Sequence, residues 1–306
     1  MMTIDTNLKD VYQLLFSPDG AILAVNTIQQ GAHLLNAQTF KATTRYVRSG
    51  SLACTPDGIH WAINDMSSIM IHTLGKSSLN LDDTGHPNTK WNFLRFSQDN
   101  KFLEASGMFT QGYARWDATT GRKLHDSCSE FGVSSGSYDE VDGTVEGLSY
   151  SLCAGKRLTV ITTKAHGKKA KSAAVVFDGD IEKGRIRIDN KGGFPYPLLI
   201  SSDGRYLAVR WVSVIGIWNL ETLKPVTQIR VDRKPFLDAA LAPDSRHLVT
   251  VTNNDERIRV WDLASGRQSA EFDWGIGKPT AVAVAPDGLR IACANAKGQL
   301  VIWDAE

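Results

Sequence analysis

The residues of this chain whose types and spacing invite a chemical role are its recurrent aspartates. Asp19, Asp57, Asp99, Asp203, Asp244 and Asp287 each centre a similar phrase: FSPDGAI from Phe16, CTPDGIH from Cys54, FSQDNKF from Phe96, ISSDGRY from Ile200, LAPDSRH from Leu241 and VAPDGLR from Val284. A set of like carboxylates suggests acid–base work. The fixed setting argues for something plainer: an Asp before Gly bonds its own backbone while Gly takes positive φ, so the phrase is a turn. The histidines, His33, His60, His72, His86, His125, His166 and His247, form no His-x-x-x-His pair. The cysteines, Cys54, Cys128, Cys153 and Cys293, form no Cys-x-x-Cys pair, so zinc is not expected. Gly-rich Lys191–Phe194 lacks the P-loop Lys and Ser/Thr. The chain is expected to be non-catalytic and to hold no cofactor and no metal.

The phrase is more useful as a ruler. Its copies fall about 40 residues apart, the period of a repeat architecture. The exception is the stretch from Asp99 to Asp203, which is roughly two periods long. A degenerate unit is predicted there over Val145–Asp178, with Leu148–Tyr150, Leu158–Thr163 and Ala173–Asp178 as its strands. That makes seven units. Each holds short runs of Val, Ile, Leu and Trp broken by turn residues. Leu248–Thr252 is largely apolar or β-branched on both faces, as in a sheet covered from both sides.

A second phrase follows the first: ARWDATTGR ending at Arg122, GIWNLETLK ending at Lys224, RVWDLASGR ending at Arg267, and VIWDAE at the end. Its dipeptides are Trp116-Asp117, Trp218-Asn219, Trp261-Asp262 and Trp303-Asp304, with Phe177-Asp178 as a weaker copy. Over essentially its whole length the chain resembles the WD-repeat β-propellers. The resemblance implies an all-β fold: a seven-bladed β-propeller of four-stranded antiparallel blades, a single domain over residues 1–306. The last unit stops after its third strand. The segment Thr3–Leu8 is therefore predicted to join the last blade as its outer strand and to close the ring, since a bare sheet edge would otherwise remain.

Departures from the family pattern are informative. Gly-His, which often opens a repeat, appears once, as Gly85-His86. The resemblance implies a buried network between that His and an Asp in the turn before the Trp. Asp255 stands in that turn in the sixth unit, but no Gly-His precedes it. The first two units carry Leu35-Asn36 and Ile71-His72 in place of Trp-Asp, and are expected to rely on apolar packing and turn bonds.

Composition narrows the classes further. A 42% hydrophobic and 22% charged chain has globular proportions. A net charge of +1 gives no global pull toward nucleic acid or membrane, and no apolar run approaches the roughly 20 residues of a membrane span. The first residues, Met-Met-Thr-Ile-Asp-Thr-Asn, show no signal-peptide pattern, and Cys54 and Cys293 read as buried, reduced thiols. Together these predict a cytoplasmic, monomeric propeller.

The expected role is a scaffold that binds proteins or peptides on the propeller rim. Two charged inserts fall there, both in the fourth unit: acidic Ser137–Glu146 and basic Lys164–Lys171, the latter between strands two and three. The basic loop offers Lys164, Lys168, Lys169 and Lys171 but no Arg or aromatic, which suits anion attraction better than base stacking. The inserts could equally pair with each other or stay solvated. Trp91, Phe194, Tyr196, Trp211, Phe236 and Trp274 lie at loop positions and are candidate contact residues, each with the alternative of packing beneath its loop. Two other functions remain open: a propeller enzyme, of hydrolase or lyase type, with a site at the central channel, and a reader of phosphorylated or otherwise anionic segments using the basic loop with Arg48, Arg210 or Lys278.

Overall fold

In the computed structural model all residues are described except 1, 47–49, 65–67, 82–90, 98, 108–112, 127–143, 154–155, 165–171, 179–180, 189–197, 233 and 305–306. For some strand residues, Trp91, Lys164 and Trp211 among them, only the strand is described.

Turn residues cut the chain into strands that assemble as seven antiparallel four-stranded sheets. The first holds Val11–Phe16, Ile22–Thr27, Gly31–Asn36 and Ala42–Tyr46, and the second Leu52–Cys54, His60–Asn64, Ile69–Thr73 and Leu79–Asn80. The third holds Trp91–Phe96, Phe102–Gly107, Tyr113–Asp117 and Lys123–Asp126. The fourth is the degenerate unit: Thr144–Cys153, Lys156–Lys164, Ser172–Asp178 and Ile181–Ile188. The fifth holds Leu198–Ile200, Tyr206–Trp211, Val214–Asn219 and Lys224–Arg230, and the sixth Phe236–Leu241, His247–Thr252, Arg257–Asp262 and Gln268–Asp273. The seventh takes Pro279–Val284, Arg290–Asn295 and Gln299–Asp304, and its fourth strand is Met2–Asp5 from the start of the chain. Met2 pairs with Ile302 and Asp5 with Gln299, so the outer strand missing from the last repeat is supplied as predicted.

The sheets fall into two compact units. One comprises residues 1–47, 151–155 and 193–306, the other 48–150 and 156–192. In the first unit, the facing residues of neighbouring sheets are apolar on both sides. Leu14, Phe16 and Leu23 of the first sheet meet Ala283, Ala292 and Ile302 of the seventh, and Ala208 and Ile217 of the fifth meet Leu248 and Trp261 of the sixth. In the second unit, Ala62 and Ile71 of the second sheet pack with Leu103 and Trp116 of the third. The middle strands are covered on both faces, which explains why Leu248–Thr252 is buried throughout. Cys293 is buried as expected, whereas Cys54 is only half-buried because it stands next to the exposed Pro-Asp turn.

Candidate functional site

The aspartate phrase is turn chemistry throughout. Asp19, Asp57, Asp99 and Asp203 accept hydrogen bonds from Ser17, Thr55, Ser97 and Ser201 hydroxyls at 2.5, 2.5, 2.7 and 2.7 Å. The same carboxylates accept the N–H groups of Ala21, Ile59, Lys101 and Arg205, and Asp244 and Asp287 accept those of Arg246 and Leu289. The Ser17 hydroxyl, followed by the Ala21 N–H, holds Asp19 below the usual carboxylate range. In two copies Gly is replaced, by Asn100 at φ +59° and Ser245 at φ +57°. Both replacements reach the neighbouring sheet: Asn100 Nδ2 donates to Asp57 Oδ2 at 2.6 Å, and the Asp203 N–H donates to Ser245 Oγ at 2.9 Å. The second phrase is also a turn. Asp117, Asn219, Asp262 and Asn36 cap the N–H groups of Thr120, Thr222, Ser265 and Thr39.

Asp255 is not partnerless for want of a Gly-His. Lys234 Nζ reaches it at 3.0 Å and Arg259 Nη1 at 2.9 Å, while Arg259 Nε meets Glu271 at 2.9 Å. Trp261 Nε1 donates to Thr250 Oγ1 at 2.8 Å on the same sheet. Burial alone would raise the Asp255 carboxyl, but the Lys234 and Arg259 hydrogen bonds and the Arg259 charge outweigh it and bring the value down to about 2. A buried carboxylate between two cations is structural machinery, and it pins the connector entering the sixth sheet.

The first unit has an end where the second-to-third-strand turns and the connectors between sheets lie together. Three contacts at this end stitch successive sheets together. Arg210 Nη1 donates to the Phe236 carbonyl at 2.8 Å and to that of Leu237. The Val282 N–H donates to Asp238 Oδ2 at 2.9 Å, and Thr280 Oγ1 donates to the Val11 carbonyl at 2.6 Å. Burial pushes the Asp238 carboxyl up to about 6, against the opposing N–H bonds of Val282 and Ala239 and the Arg210 charge. A bulge opens the first strand in the first, sixth and seventh sheets, between Val11 and Gln13, Phe236 and Asp238, and Pro279 and Ala281. The bulge residues Tyr12 and Leu237 are each 37% exposed. On the turns of the same end, Ile28 is 64% and Val212 53% exposed. Val212 is anchored by its carbonyl, which accepts the Phe236 N–H at 2.8 Å. Its φ is +42°, a left-handed conformation that a β-branched side chain resists. Trp211 pairs with Val214, so Val212-Ser213 fills a two-residue hairpin turn, where Asn or Gly is the favoured choice. The four exposed residues Tyr12, Ile28, Val212 and Leu237 were not picked out by sequence. Only knowledge of the strand ends would have shown that a β-branched apolar residue stands in a hairpin turn.

The residues expected from the sequence fare differently. Phe236 and Trp274 are buried and do not offer contact surface. Phe236 packs with Ala208, Ile217 and Trp261 because the bulge turns Leu237, not Phe236, outward. Trp274 stacks 5.9 Å from Phe272 and lies 5.8 Å from Trp303, beneath its connector. Lys168, Lys169, Lys171, Phe194 and Tyr196, together with Arg48 and most of the acidic insert, lie outside the described residues, as do the side chains of Trp91, Lys164 and Trp211. Arg210 is used to hold the Phe236 and Leu237 carbonyls, and exposed Lys278 donates to Asn254 Oδ1 at 3.1 Å. Among the described residues, no group of three His, Cys, Asp or Glu is placed to hold a metal ion.

No protein-family model matches the chain. It is 25% identical over 185 residues to WD repeat-containing protein 55 of Bos taurus, which covers 54% of this chain and 48% of that protein. It is 29% identical over 91 residues to an uncharacterized WD repeat-containing protein of Synechocystis, which covers 30% of this chain and 26% of that one. Among solved structures, the β-propeller domain of Cps50 (Swd1) from Myceliophteria thermophila superposes with a TM-score of 0.75 at 14% identity, covering 100% of this chain and 99% of that domain. The chain has the β-propeller fold, and the curated relatives it matches are WD-repeat proteins. The matched stretch spans about half the length of the bovine relative and about a quarter of the cyanobacterial one. Hydrazine synthase of Kuenenia stuttgartiensis also superposes, with a TM-score of 0.74 at 14% identity over 99% of this chain and 97% of that one, a likeness of fold alone. In this propeller the WD phrases, the Asp turns and the Trp261–Thr250 bond belong to the scaffold. Exposed Tyr12, Ile28, Val212 and Leu237 lie outside these phrases.

Proposed function

We propose that this propeller is a non-catalytic interaction platform, and that the turn-bearing end of its first unit docks an apolar segment of a protein or peptide partner. Val212 carries the reading. Folding alone disfavours it twice, as an exposed aliphatic side chain and as a β-branched residue at φ +42°, yet it is anchored to the next sheet beside exposed Leu237. Such a position makes physical sense when a partner covers it. The acids and bases of the surrounding described turns, among them Lys9, Asp10, Asp232, Glu256, Lys278 and Lys297, are mixed in sign, which suits an apolar rather than a charged contact. The named WD-repeat relatives are consistent with a scaffold role.

The test compares partner capture by wild type, by Val212→Asp with Leu237→Asp, and by Leu289→Asp. Leu289 is as exposed, at 60%, but sits on an Asp-Gly turn at the opposite end of its sheet. The expected result is that the double variant loses partners that wild type and Leu289→Asp retain. Unchanged capture by the double variant would refute the reading.

A further inference from the structure

A second surface, in the other unit, has a chemistry of its own. Ile181–Ile188 is the outer strand of the fourth sheet, and no described strand pairs with its outer edge. At eight residues it is the longest outer strand described, and it contains no proline. Alternate residues of such an edge turn N–H and C=O groups away from the sheet, ready to pair with another chain. From Gly184 to Ile188 the strand is in regular register with Val176 to Ser172.

Its side chains alternate. Ile186 and Ile188 are buried on one face, while Lys183, Arg185 and Arg187 are exposed on the other. Within the strand, Glu182 accepts from Arg185 Nε at 2.9 Å, an exposed contact worth only about 0–1 kcal/mol and open to competition. Cationic character is not general to the outer strands. Gln268–Asp273 carries Glu271 and Asp273, and Ala42–Tyr46 carries Arg45 alone.

Charges on an edge strand commonly block pairing with a second copy of itself, because like charges would then stand opposite each other. The same arrangement selects in the other direction. A strand with carboxylates on the cationic face and apolar residues on the other would satisfy both the backbone and the charges. We propose that this edge accepts an acidic partner segment, alternating carboxylate and apolar residues, as a fifth strand of the fourth sheet. The reading is independent of the apolar site on the first unit.

The probe is a fluorescent eight-residue peptide alternating Glu and Val, titrated into the full chain by anisotropy at low salt. Three comparisons accompany it: a Lys–Val version, a Glu–Val version with a central proline, and a Glu–Val version against the Lys183→Glu, Arg185→Glu, Arg187→Glu variant. Binding of the Glu–Val peptide should weaken at least tenfold in that variant and with the proline peptide, and should be absent with the Lys–Val peptide. Amides of Gly184–Ile188 should gain hydrogen-exchange protection on binding. Equal affinity of the charge-reversed variant, or of the proline peptide, overturns the proposal. So does a loss that follows Lys168→Glu, Lys169→Glu and Lys171→Glu while the strand variant binds normally. Val212→Asp should bind the peptide as wild type does.

Discussion

Replacing Val212 by Asn should raise the stability of the propeller and weaken partner binding at the same time. A left-handed conformation costs a residue bearing Cβ roughly 1–2 kcal/mol, with β-branched side chains at the upper end, whereas Asn tolerates it. Val212 stands at φ +42° in a turn where Asn is favoured. Opposing that gain is the apolar burial given up with a side chain that is already 53% exposed, about half a kcal/mol. The balance is a stabilisation of about 1 kcal/mol, or roughly 2 °C in the melting midpoint for a chain of this size. Val212→Thr keeps the β-branch and should give no gain, which separates backbone strain from polarity. Calorimetric midpoints at matched concentration measure the stability, and partner capture measures the binding. If Asn and Thr shift the midpoint equally, or if Asn lowers it, the strain argument is wrong. If Asn stabilises and capture is unchanged, the strain has no bearing on docking.

Further outcomes follow from other sites. Asp255→Asn should cost on the order of 2 kcal/mol, the equivalent of bringing the carboxyl from 3.8 to about 2. Because the folded value is lowered, the contribution is complete above about pH 5 and fades as pH falls toward 2, so the wild-type advantage in urea midpoint should close over that window. Asp238 has the opposite sign: its folded value of about 6 means stability present below pH 4 and lost as pH rises through 6, a loss that Asp238→Asn should abolish in the same pH series. Gly298→Ala should destabilise by about 2 kcal/mol or more, because Gly298 sits at φ +89° and a methyl there would overlap the Leu8 carbonyl. Thr6 bonds the Gly298 carbonyl through both N–H and hydroxyl, so hydrogen exchange should report loosening first at Met2–Asp5.

Much of the fold was legible because turn chemistry is local. An Asp that accepts an N–H two residues after it, and in four copies also a hydroxyl two residues before it, needs no tertiary context, so six copies could be counted and the seven sheets anticipated. The stretched interval between Asp99 and Asp203 likewise resolved into a fourth sheet whose strands Lys156–Lys164 and Ser172–Asp178 flank the basic segment. The Met2–Asp5 strand followed from a missing edge. What could not be read were properties of packing between sheets. Phe236 and Leu237 are adjacent and both apolar, and only the bulge decides which is buried. Lys234 meets Asp255 although 21 residues separate them, and nothing in its local sequence marks it as the partner of a buried carboxylate.

The places where this propeller departs from its own repeat differ in kind, and the difference separates structure from function. Asn100 and Ser245 break the Gly rule, but each recovers a hydrogen bond to the next sheet, so the departure is explained within the fold. Lys234 replaces an expected imidazole contact, and the Asp255 network is complete with it. Val212 and Leu237 recover nothing comparable: the backbone of Val212 is anchored while its side chain remains in water. The row of Lys183, Arg185 and Arg187 sets one sign of charge along an edge, with Glu182 the acid that its own strand supplies. A substitution that the fold compensates can be understood without a partner. An exposed aliphatic group held in an unfavourable backbone state acquires its physical reason when a second molecule covers it.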